Sequence, residues 1–102
     1  MSQQDAITSA NKFVALVRTK YPVEKAYIFG SYAKNQADEA SDIDVCVISS
    51  AFGRNYLNDE MQLIELATKI DSRLSPVAFN QKDFQDRWSQ LAHEITKYGV
   101  LL

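Results

Sequence analysis

A glycine and a serine, ten intervening residues and two aspartates one residue apart make up the stretch of this chain best suited to chemistry: Gly30-Ser31-x10-Asp42-Ile43-Asp44. A glycine at a strand-to-helix turn lets the backbone approach a ligand closely, and amides at a helix start attract anions. Phosphate suits such a turn. Ser31 adds a hydroxyl that can donate to a phosphate oxygen, and Lys34, one helical turn on, adds positive charge. Residues two apart on a strand point the same way at a spacing of about 6 to 7 Å, so Asp42 and Asp44 can grip one Mg²⁺ or share a pair. In a two-metal arrangement one ion activates the attacking oxygen while the other stabilises leaving pyrophosphate, which is the need that paired acids serve. Singly, a Gly-Ser is a turn and an Asp-x-Asp is a solvated strand end. Their combination, between two apolar strands, points to a nucleotide-phosphate and metal site.

Several elements must place these residues. Ile7, Ala10, Val14 and Val17 recur at helical spacing after a Ser2/Asp5 capping box, and Pro22 ends that helix. Ala26 to Phe29 is a short aromatic and β-branched run, read as a buried strand that stops at Gly30. Ser31 to Lys34 can open a short helix, and the polar stretch from Asn35 to Ser41 is a loop. Asp42 to Ile48 is the second strand, with Asp42 and Asp44 on one face and Ile43, Val45 and Val47 on the other. Leu63, Ile64, Ala67 and Ile70 mark a second long helix. Leu74 to Phe79 is a third strand whose Pro76 suits an edge or strand-end position. Asn80 and Asp83 form an N-cap signature for a helix carrying Phe84 and Trp88. A last helix with Leu91, Ile95 and Tyr98 ends at Gly99. The expected order, α-β-α-β-α-β-α(α), gives one α/β or α+β domain over residues 1–102, with a small mixed sheet of three or more strands backed by helices.

Composition narrows the partners. With 46% hydrophobic residues and eleven aromatics among 102 residues, the chain lies far from the composition of disordered polymers. A net charge of -2 provides no basic field, so nonspecific nucleic-acid binding and attraction to anionic membranes are disfavoured. Cys46, the only cysteine, excludes an intrachain disulfide. With no apolar run long enough to cross a bilayer and no leader-like N-terminus, the expectation is a soluble, cytoplasmic protein. His93 has no Cys or His at zinc-ligand spacing and reads as a surface residue. Cys46 reads as a small buried thiol, and Phe84, Trp88 and Tyr98 as core, with some aromatics left over to anchor a partner. No Walker or Gly-x-Gly-x-x-Gly motif occurs.

Phe29-Gly30-Ser31-Tyr32-Ala33-Lys34, followed by Ser41-Asp42-Ile43-Asp44-Val45, resembles the signature of the DNA-polymerase-β-like minimal nucleotidyltransferase (MNT) family. The resemblance implies ATP or another NTP as donor and Mg²⁺ as cofactor, with Gly30, Ser31 and Lys34 binding nucleotide and Asp42 and Asp44 as catalytic metal ligands. Many members of that family are antitoxins paired with a HEPN-domain toxin, which some silence by transferring AMP to a tyrosine. A HEPN-type partner is therefore expected; a homo-oligomer is left open by the sequence. Two departures stand out. Similar members read Arg-Ile-Glu-Pro on the third strand, whereas this chain reads Arg73-Leu74-Ser75-Pro76, so the expected third acid is replaced at Ser75. Without that acid the site loses a metal ligand or the general base that deprotonates the acceptor hydroxyl, a contribution of about 10² to 10⁴ in rate. Asp71 shares the parity of Ser75 and would reach inward only if the strand began early; Arg73 could pair with it or with phosphate. The second departure is Asn35 where glycine is common, a mild change because asparagine tolerates left-handed backbone. Two readings follow: an AMP-transferring antitoxin, or a catalytically weak module that neutralises its partner by binding.

Overall fold

The Ser2 hydroxyl accepts from the Asp5 amide at 3.1 Å and the Asp5 carboxylate accepts from the Ser2 amide at 3.2 Å, so the capping box forms as expected. It opens helix α1 (Gln3–Arg18), whose buried stripe is Ala6, Ala10, Phe13, Val14 and Val17. Ile7 packs only at the margin of that stripe. In this computed structural model, which describes residues 1–102, strand β1 (Val23–Phe29) follows, then β2 (Ile43–Ser49), helix α2 (Tyr56–Thr68) and strand β3 (Leu74–Phe79). A one-turn helix α3 (Gln81–Phe84), helix α4 (Gln90–Tyr98) and a two-residue strand β4 (Val100–Leu101) complete the chain.

The strands form one mixed sheet in the order β3-β2-β1-β4. β1 runs antiparallel to both β2 and β4, whereas β2 and β3 are parallel and joined by the α2 crossover. One face carries Ala26, Ile28, Ile43, Val45, Val47, Leu74 and Ala78, packed against α1 and against Leu63, Leu66 and Ala67 of α2. The other face carries Phe29, Cys46 and Ile48, covered by Phe84 of α3 and by Ala92 and Ile95 of α4. β2 is thus buried on both sides, which is why it reads as an apolar run interrupted only by Asp44.

Several expectations change. The third strand is at the sheet edge, as Pro76 required. Residues 31–34 form a turn rather than a short helix. In α2 the inward position is Leu66, and Ile64 points to solvent because it lies about 100° round the helix from Leu63 and about 160° from Leu66, off the buried stripe. Trp88 lies beyond the end of α3 and is 78% exposed, and Tyr98 is also exposed, so of the three late aromatics only Phe84 joins the core. β4 went unforeseen because two residues are too few to show a period. It is tied on by the Leu102 amide, which donates to the Ala26 carbonyl at 2.9 Å.

Tyr56 ties α2 to the start of α3: its hydroxyl donates to Asp83 at 2.5 Å and accepts from the Asn80 amide at 3.0 Å. Burial, with the bond to Asp83, pushes its ionisation up to about 12, so it remains a donor at any ordinary pH. Tyr56→Phe leaves that amide and carboxylate without their partner, and urea unfolding should show a loss of about 1–2 kcal/mol.

Candidate functional site

β1 ends at Phe29, and the chain turns at Gly30 with φ +72°, a left-handed geometry that favours glycine. Lys34 and Asn35 amides then donate to the Gly30 and Tyr32 carbonyls, each at 3.2 Å, and the Gln36 amide donates to the Ser31 carbonyl at 2.8 Å. Asn35 closes the turn with φ +56°, the left-handed conformation anticipated for it. Tyr32 is buried, and its carbonyl accepts from Gln3 Nε2 at 2.8 Å, which fixes the turn to α1. The amides of Ser31, Tyr32 and Ala33 donate to no other group in the chain. Successive unpaired amides on a turn are suited to an anion, so a phosphate bound here would meet backbone donors rather than a helix dipole.

The same turn touches the acids. Phe29 lies opposite Asp44 in the β1–β2 register, and a Cβ added at Gly30 would stand 2.3 Å from Asp44 Oδ2. Asp42 is exposed and sits one residue ahead of β2 rather than within it; the intervening Ile43 amide donates to the Arg73 carbonyl at 2.8 Å. Ser75, the position of the expected third acid, is the β3 neighbour of Asp44. The Asp44 carboxyl is pushed above the usual carboxylate range by burial first, then by the negative charges of Asp42 and Glu94. A half-buried carboxylate among acids and without a cationic partner is suited to a hard divalent ion. No group of three or more His, Cys, Asp or Glu side chains could hold a metal unaided. Two carboxylates completed by phosphate oxygens and water is the set that Mg²⁺ accepts.

Lys34 has partners that the sequence did not suggest. Its ammonium donates to Glu94 Oε1 at 3.0 Å and lies 4.8 Å from the Tyr98 ring centre, so α4 already answers its charge. Nothing in the local sequence paired residues 60 apart, and Glu94 was missed for that reason. Asp71 stays outside β3, bound by Arg73 at 2.8 Å and by the Ser9 hydroxyl of α1 at 3.4 Å. Arg73 holds its carboxyl down to about 2, and it supplies no substitute for an acid at Ser75. Burial raises the Cys46 thiol to about 12, which makes it an inert core residue. His93 is exposed, its ring nitrogen 2.6 Å from the Arg87 carbonyl. The largest cleft, about 370 Å³, lies between β1, α3 and α4 around Lys25, Tyr27, Phe84 and His93. It includes none of Gly30, Ser31, Lys34, Asp42 or Asp44, so the Gly30 turn and the acids lie apart from it.

A glycine turn packed on an acid-bearing strand, in a mixed sheet with helices on both faces, is the arrangement of a nucleotidyltransferase fold. Residues 11–102 match the polymerase beta nucleotidyltransferase family, and the chain belongs to it. It is 36% identical over 62 residues to a Methanocaldococcus jannaschii protein named "putative protein adenylyltransferase". That match spans 52% of this chain and 63%, less than two thirds, of the relative. Among solved structures it is similar to a toxin–antitoxin complex with AMP-PNP, with a TM-score of 0.68, 26% identity and coverage of 90% of this chain and 70% of the other. It also shares its fold with a chain of the Shewanella oneidensis complex of a tri-AMPylated HEPN toxin with an MNT antitoxin. There the TM-score is 0.61 at 24% identity, covering 94% of this chain and 70% of that one.

Two outcomes test this geometry. Gly30→Ala introduces a clash with Asp44 Oδ2 and left-handed strain worth about 1–2 kcal/mol. Denaturation should show at least that loss, and calorimetry should show weakened divalent-cation binding. For Asp44, a folded-state pKa above the unfolded one means that the unfolded chain ionises first as pH rises. The penalty is absent below about pH 4, grows above it and is fully present once the folded carboxyl has ionised. Asp44→Asn in metal-free buffer should therefore melt higher than the parent at pH 7, with the gap closing on acidification.

Proposed function

We propose that the chain is a Mg²⁺-dependent nucleotidyltransferase that moves AMP from ATP to a hydroxyl of a partner protein of the HEPN class, and so acts as an antitoxin. The observation that carries the reading is the meeting of Gly30 with the Asp44 carboxylate, which sets a free-amide turn beside an acid pair. Ser31, Tyr32 and Ala33 amides and the Ser31 hydroxyl would receive phosphate oxygens, and Lys34 would join them after leaving Glu94. Asp42 and Asp44 would hold the metal, which when bound supplies charge neutralisation at the phosphates and activation of the attacking oxygen. The chain's own work is positional: the turn fixes the phosphates, and the register of β1 on β2 fixes their distance from the acids. Support for AMP as the transferred group comes from the relative named as a protein adenylyltransferase, and for a HEPN-class acceptor from the tri-AMPylated toxin in a complex of the same fold.

A second reading is favoured by one observation: Ser75 stands beside Asp44 where a third carboxylate is expected. On that reading the chain neutralises its partner by forming a complex, without turnover.

Incubation with α-labelled ATP, Mg²⁺ and the HEPN partner separates the two. The transfer reading expects label on the partner, lost by chelation and by the Asp42→Asn, Asp44→Asn variant. A stable complex with no label would leave only the second.

A further inference from the structure

The acid absent from β3 has a counterpart on α4. Ala92 and Ile95 pack that helix onto Cys46 and Ile48, on the sheet face that also bears Asp44. At about 100° per residue, this rotation sends Leu91, Glu94 and Tyr98 along a flank beside the buried stripe. Lys34 meets that flank, with its ammonium 3.0 Å from Glu94 Oε1 and 4.8 Å from the centre of the Tyr98 ring. Lys34 rides on the turn whose Gly30 abuts Asp44. Glu94 lies within electrostatic reach of Asp44, adding its charge to the larger effects of burial and of Asp42 in pushing that carboxyl up. Its side chain is 42% exposed, open to an incoming acceptor.

We propose that Glu94 is the base for nucleotidyl transfer, held in reserve by Lys34 until nucleotide phosphate draws the lysine away, and so replaces the acid that Ser75 lacks. This role rests on the transfer reading above. A triphosphate carries more negative charge than one carboxylate and is the stronger partner for an ammonium. Its arrival frees the Glu94 carboxylate beside the turn. In the step itself the acceptor hydroxyl oxygen bonds to the α-phosphorus, and the bond from that phosphorus to the bridging oxygen of the β-phosphate breaks. Pyrophosphate leaves with the electron pair, and the hydroxyl proton passes to the Glu94 carboxylate.

The test uses the full chain with its HEPN partner. Glu94→Gln removes the lysine's competitor, so calorimetry without divalent metal should show ATP binding tightened by about two- to fivefold, the scale of a half-exposed ion pair. The same variant should transfer AMP about 10² to 10⁴ more slowly with Mg²⁺ at saturating ATP. Ser75→Glu added to it should restore much of that rate by returning a carboxylate beside Asp44. Tighter binding with slower turnover is a pairing that a merely structural residue would not produce. A Glu94→Gln chain that transfers at the parental rate, or binds ATP more weakly, overturns the role while leaving the transfer reading intact. A parent chain that never labels its partner overturns both.

Discussion

The antiparallel register of β1 on β2 is the constraint on which the site depends. It sets Phe29 opposite Asp44 and brings the next residue, Gly30, against the carboxylate with no room for a side chain. Hydrophobic burial enforces that register. Ile43, Val45 and Val47 enter one core while Cys46 and Ile48 enter the other, and a slip of one residue would exchange the two faces and drive Asp44 into the α1–α2 core. The position of the acid relative to the Gly30 turn is therefore fixed by apolar packing some distance from either.

That packing leaves the site electrostatically unfinished. Asp44 is half buried among negative groups, and neither ion pair of the chain, Lys34–Glu94 or Arg73–Asp71, includes it. The unpaired amides of the turn suit an anion and the acids suit a cation. On the proposed reading, a metal–nucleotide complex would bring both in one ligand. α4 and β4 complete the frame: α4 roofs the sheet face behind Asp44 and carries the glutamate that occupies Lys34, and β4 closes the far side of β1. Gly99, which joins them, passes so close to the Ile95 carbonyl that a Cβ there would stand 2.4 Å from it.

Much of this was legible in the sequence, for identifiable reasons. Asp42, Asp44, Gly30 and Ser31 declared themselves through residue type and local spacing, and the Pro76 edge strand, the α1 capping box and the left-handed Asn35 followed from short-range backbone chemistry. The turn at residues 31–34 was misread as a helix because four residues carry too little period to separate one turn from the start of a helix. Trp88 was assigned to the core on hydrophobicity alone, and exposure at a loop is a tertiary outcome. Glu94 and β4 were invisible for a deeper reason. Both acquire meaning only when the end of the chain folds back onto β1 and the turn, a contact that no local pattern encodes.

The account is tested most directly by adding Mn²⁺ and a nonhydrolysable ATP analogue to isotopically labelled chain and following amide resonances. Paramagnetic broadening should centre on Gly30 to Ala33 and on Asp42 to Asp44, fading toward the cleft around Lys25 and His93. Broadening centred on that cleft, or none at the turn and acids, would contradict the claim that the β1–β2 register builds a metal–nucleotide site.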